Sequence, residues 1–151
     1  IHELRSAQED LANVRGHRVP MLVKIAPDLT ETEIEGVAKV FNDAKLDGVI
    51  AGNTTVDRGM IAGHRLAAQV GGLSGKPLFD KATHTLRRLR LHLDDRIPII
   101  GVGGISEGAD ALGKVSAGAQ LVQFYTGFIY RGPELIGECV DAMRRRRLGQ
   151  P

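Results

Sequence analysis

Four short apolar runs, at residues 19–26, 48–51, 97–102 and 121–124, alternate along the chain with longer amphipathic segments. Strand and helix in strict succession build a parallel sheet joined by right-handed crossovers, so this alternation narrows the fold more than any other feature. The runs are nearly continuous in apolar character, the pattern of strands covered on both faces. Between them, Thr30 with Glu33 three residues on gives a capping-box signature, followed on one face by Ile34, Val37, Ala38 and Phe41. Ala82, Leu86, Leu89 and Leu93 form the stripe of a second helix, with Arg87, Arg88 and Arg90 mostly elsewhere. A third helix is expected to be capped by Ser106, to bury Ala109, Leu112 and Val115, and to end near Gly118. A last one opens around Gly132 and Pro133 and is expected to bury Leu135, Ile136, Cys139, Val140 and Met143. Residues 1–18 read as a helix leading into the first strand.

Two architectures fit four βα units. A complete (β/α)8 barrel takes about 250 residues, so these 151 residues amount to half of one; an open doubly wound sheet is the alternative. No linker composition divides the chain, and residues 1–151 are expected to form one domain. No run approaches the roughly 18 apolar residues of a membrane span, and no secretory signal is visible, although residue 1 is Ile rather than Met. The formal charge of +2 lies mostly in the run Arg144 to Arg147, which reads as a solvated helix end. With aromatic residues at 4% and no Trp, no stacking platform for nucleic acid is expected. Cys139 is the only cysteine, which excludes an intrachain disulfide.

The chemistry gathers at strand ends. The third run closes in Gly101-Val-Gly-Gly104 and leads through Ile105 to Ser106 at a helix start, where glycine backbone and free N–H groups suit a phosphate. Gly101, Gly103 and Ser106 fail the third glycine of a dinucleotide fingerprint, and Phe124 and Tyr125 stand where a ribose-binding acid is needed, which weakens the open-sheet reading. The fourth run ends in Tyr125-Thr-Gly127. Two such ends in succession fit one phosphate, as the last two loops of barrels often do. Lys24 lies inside an apolar run and must find an anion or reach water. At a barrel mouth it suits the electron-rich side of a flavin. Asn53, Thr54 and Thr55 follow the second run, and an amide beside hydroxyls suits a heterocycle that both donates and accepts. Gly71-Gly-Leu-Ser-Gly75 is a further loop of close backbone approach. His2, His17, His64, His84 and His92 show no metal-ligand spacing, and no metal site is expected.

Five segments in this order, Lys24-Ile-Ala-Pro-Asp-Leu29, Asn53-Thr-Thr55, Gly71-Gly-Leu-Ser-Gly-Lys-Pro77, Ile99-Ile-Gly-Val-Gly-Gly104 and Leu121-Val-Gln-Phe-Tyr-Thr-Gly127, closely resemble the class 2 dihydroorotate dehydrogenases. The resemblance runs from about residue 19 to about residue 140. It implies an FMN-holding (β/α)8 barrel of which this chain supplies strands five to eight. It implies oxidation of dihydroorotate to orotate in pyrimidine biosynthesis, with quinone as acceptor. Lys24, Gly75, Gly104, Tyr125 and Thr126 would be the FMN contacts, and Asn53 and Thr54 the contacts to dihydroorotate or orotate. The family usually has Thr before the Asn, itself an FMN contact, and here Gly52 stands instead, which is expected to loosen the flavin.

The family's catalytic Ser base lies on an earlier strand. Ser6, Ser74, Ser106 and Ser116 do not sit in its motif, so no catalytic residue is assigned. The N-terminal helices that form the family's quinone tunnel and dock on the cytoplasmic side of the inner membrane have no counterpart here. The full-length enzyme is expected to be a peripheral membrane protein and this fragment soluble. Two other readings stay open: a silent half-barrel that at most binds the FMN phosphate and self-associates through its open sheet, and another FMN barrel acting on a different pyrimidine.

Overall fold

The computed structural model describes residues 1–149; Gln150 and Pro151 of the expected single domain lie outside the described residues. Strands β1 (Leu22–Ile25), β2 (Gly48–Ala51), β3 (Ile99–Val102) and β4 (Leu121–Gln123) form one sheet in chain order, every neighbouring pair parallel. The helices are α1 (His2–Arg15), α2 (Glu31–Asp43), α3 (Phe79–His92), α4 (Gly108–Ser116), α5 (Thr126–Arg131) and α6 (Glu134–Arg147). The expected alternation is therefore present, with α5 as a short helix that the periodicity did not show.

Register explains which face is buried. Val23, Val49 and Ile99 form one row and Ile25, Ala51, Gly101 and Val122 the next, all pointing toward the helices. Val49, Ala51, Ile99, Leu86 and Leu89 are fully buried there, with Ile34, Ala38 and Phe41 of α2 closing the layer. Each large side chain so buried contributes about 1.5–3 kcal/mol. The opposite face carries the row Lys24, Ile50, Ile100 and Leu121. This face is open: Leu121 is 57% exposed and Leu22 37%. Apolar continuity anticipated cover on both faces, and the described residues cover only one.

The capping box of α2 is formed, Glu33 N donating to Thr30 Oγ1 at 3.3 Å and Thr30 N to Glu33 Oε2 at 2.8 Å. Helix α3 buries Ala82, Leu86 and Leu89, and Leu93 just beyond it, as the stripe predicts. Helix α4 departs from expectation. Its cap is Glu107 rather than Ser106, Ala109 is exposed, and its buried face sets the polar Asp110 and Lys114 beside Ala111. An apolar count cannot see a face whose polar groups are satisfied internally. Helix α6 buries Leu135, Cys139 and Ala142, while Ile136 and Val140 stay 49% and 38% exposed. It starts at Glu134, after Pro133.

Lys114 is fully buried, donating Nζ to Thr83 Oγ1 at 2.8 Å and to Phe79 O at 3.3 Å and lying 4.6 Å from the Phe79 ring centroid. Burial outweighs the pull of Asp110 and Asp80 and lowers its pKa from 10.5 to about 8. Below pH 8 the folded chain must carry a buried ammonium. From about pH 8 to 10.5 the unfolded state binds more protons than the folded one, so stability rises with pH across that window. The expected gain of the native protein over Lys114→Met between pH 7 and 10.5 is about 3 kcal/mol, read from urea unfolding. Parallel pH profiles for the two proteins would refute it.

At the N-terminal end of the sheet, Asp47 accepts from Met21 N at 2.8 Å and Gln8 Nε2 at 3.2 Å, and pairs with Arg5 at 3.0 Å and Arg18 at 2.7 Å. Burial disfavours its charge, but the donors from Met21, Gln8 and Arg18 prevail and hold its pKa at about 2. Helix α1 buries no residue of its own, so this polar cluster, with Arg5 Nε on Ala44 O at 2.9 Å, is what attaches it. No helix among the described residues is long and apolar enough to cross a membrane.

Candidate functional site

At the C-terminal ends of the four strands lies a cleft of about 410 Å³. All seven residues singled out in the sequence line it. Lys24 reaches it from β1, Asn53 and Thr54 follow β2, Gly75 precedes α3, Gly104 follows β3, and Tyr125 and Thr126 follow β4. Parallel strands that all end at one side deliver their following loops to one place, which is why residues up to a hundred positions apart converge. Lys24 is exposed on the open face, so its charge reaches water and needs no buried partner.

The phosphate reading is sharpened by the start of α4. Ser106 N at 2.8 Å, Ser106 Oγ at 2.9 Å and Glu107 N at 3.2 Å all donate to Asp110 Oδ2, and Gly108 N donates to Glu138 Oε1 at 2.7 Å. Those N–H groups, expected to face an anion, are already spent on carboxylates. What the cleft offers instead is the Gly103-Gly104 turn and the Tyr125-Thr126-Gly127 turn, where the first N–H groups of α5 have no partner within the helix. Thr126 Oγ1 donates to Ser74 Oγ at 3.1 Å across this end. Gly104 has φ 81°, and an added Cβ would stand 2.3 Å from Phe79 Cα and 2.5 Å from Phe79 N, so only glycine lets β3 end against the start of α3.

Gly52 has φ 135°, and a Cβ there would lie 2.4 Å from Val102 O. The backbone at this point therefore excludes the Thr that the resemblance leads one to expect. Sequence reasoning assigned no role to Ser74, whose hydroxyl pairs with Thr126, or to Gln123, which lies with Val102 on the open face of the sheet. Among the described residues no group of three His, Cys, Asp or Glu is placed to hold a metal ion.

The Dihydroorotate dehydrogenase family matches residues 2–146 of this chain. A dihydroorotate dehydrogenase (quinone) from Xanthomonas campestris pv. campestris is 60% identical over 147 residues, and one from Xylella fastidiosa 58%; each match takes in 97% of this chain and 42% of the relative. The chain thus spans less than half the length of these relatives. The crystal structure of DHODH from Eimeria tenella in complex with ferulenol superposes with a TM-score of 0.81 at 36% identity, over 89% of this chain and 36% of that one. Its ligand-free form gives the same TM-score at 37% identity. The four βα units thus correspond to part of an α/β barrel, and with a match along nearly its whole length this chain belongs to the dihydroorotate dehydrogenase family.

Proposed function

We propose that these residues are strands five to eight of an FMN-dependent barrel that oxidises dihydroorotate to orotate with quinone as acceptor, in pyrimidine biosynthesis. The observation that carries the reading is the convergence of Lys24, Asn53, Thr54, Gly75, Gly104, Tyr125 and Thr126 on one cleft. The donor set fits the cofactor: backbone N–H groups and two hydroxyls at one end for a phosphate, a cation and an amide at the other for a polar ring. Bound FMN would take the hydride from dihydroorotate and pass its electrons to quinone.

Within this chain, the Gly104 and Tyr125–Gly127 turns hold the phosphate, and Lys24 offsets negative charge on the ring system. Asn53 presents a donor and an acceptor to dihydroorotate, with Thr54 beside it. A base from outside these residues removes the ring proton. The names of the relatives support the quinone as acceptor, and peripheral association with a membrane follows from that partner.

The test is flavin retention. The natural protein is expected to purify yellow, and after removal of flavin to rebind FMN with quenching of its fluorescence. Ser74→Ala with Thr126→Val removes two hydroxyls from the phosphate end and is expected to weaken FMN by about tenfold or more, the loss typical of hydrogen bonds to a charged group. A colourless protein that ignores FMN overturns the reading.

A further inference from the structure

The connection from β2 to α3 supplies both ends of the cleft, Asn53 and Thr54 at its start and Ser74 and Gly75 near its finish. One side chain holds the two ends together. Arg58 donates Nη1 to Thr55 O at 3.1 Å and Nη2 to Gly71 O and, at 3.4 Å, to Gln69 O. It makes no ion pair among the described residues, so its rigid fork of donors is spent on backbone carbonyls at opposite ends of the loop. Beside it, Thr55 N donates to Leu73 O at 3.0 Å and Leu73 N to Thr55 O at 2.8 Å. Gly72 crosses so close that an added Cβ would stand 2.0 Å from Thr54 Oγ1.

The clasp is also fixed to the scaffold. Asp28, just beyond β1, accepts from Thr55 Oγ1 and, at 3.1 Å, from Val56 N. It pairs with Lys81 of α3 at 3.0 Å, and Lys81 pairs with Asp57 at 3.0 Å. Thr55 is fully buried. A movement of Ser74 and Gly75 therefore reaches Asn53 and Thr54 through a short chain of direct bonds.

We propose that Arg58 is a positioning residue that couples the phosphate end of the cleft to its ring end, so that an anion bound beside Ser74 and Gly75 tightens binding of a ring at Asn53 and Thr54. The identity of the two ligands rests on the function proposed above. Inorganic phosphate and orotate are the probes, because phosphate alone cannot touch the ring and any coupling must pass through the protein. By linkage each ligand must tighten the other equally.

The experiment uses the protein as it occurs naturally, after removal of any flavin. Saturating phosphate is expected to tighten orotate about fivefold or more, the lower end of ordinary allosteric coupling. In Arg58→Met the factor is expected to fall below about twofold, with Arg58→Lys between, since a compact ammonium lacks the spread planar fork that reaches separated carbonyls. Equal coupling in Arg58→Met, or none in the native protein when both ligands bind, overturns the proposal. Amide exchange in the ligand-free protein tests the clasp independently. Thr55 and Leu73 amides are expected to exchange about tenfold faster in Arg58→Met while Ala51 and Ile99 keep their rates. If the native protein binds neither probe, the functional reading fails, and exchange alone decides: joint acceleration supports the clasp and unchanged rates overturn it.

Discussion

Residues 1–151 alone, supplied with FMN, dihydroorotate and a soluble quinone, are expected to form orotate at least about a hundredfold more slowly than a Xanthomonas relative, because general-base catalysis typically contributes about 10²–10⁴. By the resemblance read from the sequence, none of the four serines is expected to serve as the base. Ser6 lies on α1, Ser106 Oγ is bonded to Asp110, and Ser116 accepts from Arg146 at the far end of α4. Ser74 lines the cleft, but beside Gly75 and with its hydroxyl bonded to Thr126. Loss of positioning adds to the deficit, since the open sheet face leaves Lys24 and Asn53 without an opposing wall among the described residues. Sedimentation on the same preparation is expected to show association, two copies closing toward an eight-stranded ring being one form, because edge strands and an exposed apolar row favour it. Turnover near that of a relative, from a stable monomer of these residues, would sink the prediction.

Gly104→Ala is expected to be among the most damaging single-methyl changes at the strand ends. With φ 81° and a Cβ 2.3 Å from Phe79 Cα, an alanine there is strained and meets backbone that no side-chain rotation can move. Conformational strain costs about 1–3 kcal/mol and overpacking about 1–3 kcal/mol. Their sum, about 2–6 kcal/mol, approaches the whole stability of many domains, about 5–15 kcal/mol. The relief available is separation of α3 from β3, which would uncover Leu86 and Leu89, both fully buried. Urea midpoints measure it, with Gly137→Ala as the control. Nothing lies within 4 Å of a Cβ at Gly137 in α6, so that change is expected to stabilise by roughly 0.5–1 kcal/mol. A loss below about 1 kcal/mol at Gly104 would mean that the joint between strand and helix yields readily.

The strands and the stripes of α2 and α3 were legible because apolar spacing and burial coincide there. Ile34, Ala38 and Phe41 read as one face and pack as one face. In α4 the two diverge: Asp110 and Lys114 are buried through hydrogen bonds made with Ser106 and Thr83, partners that spacing does not reveal. Ile136 and Val140 show the converse, apolar positions of the stripe that are left partly exposed. The cleft residues were legible because strand ends of a parallel sheet share one side. Ser106 misled because a cap signature cannot tell a free N–H from one that Asp110 already holds. Arg58 was invisible for a similar reason, its acceptors being carbonyls that lie up to thirteen positions away.

The attachment of α1 through Asp47 bears on how this chain tolerates change over generations. The cleft residues occupy one pole of the sheet, whereas Asp47, Arg5, Gln8 and Arg18 occupy the other, and no hydrogen bond or ion pair joins the two sets among the described residues. Substitutions at the Asp47 pole should therefore alter thermal lifetime without altering ligand preference, while those at the cleft should do the reverse. Helix α1, held by a handful of polar contacts around one carboxylate, is free to drift in sequence so long as Arg5 and Gln8 keep their places. Lineages could thus retune durability at one pole and selectivity at the other without either change constraining the other.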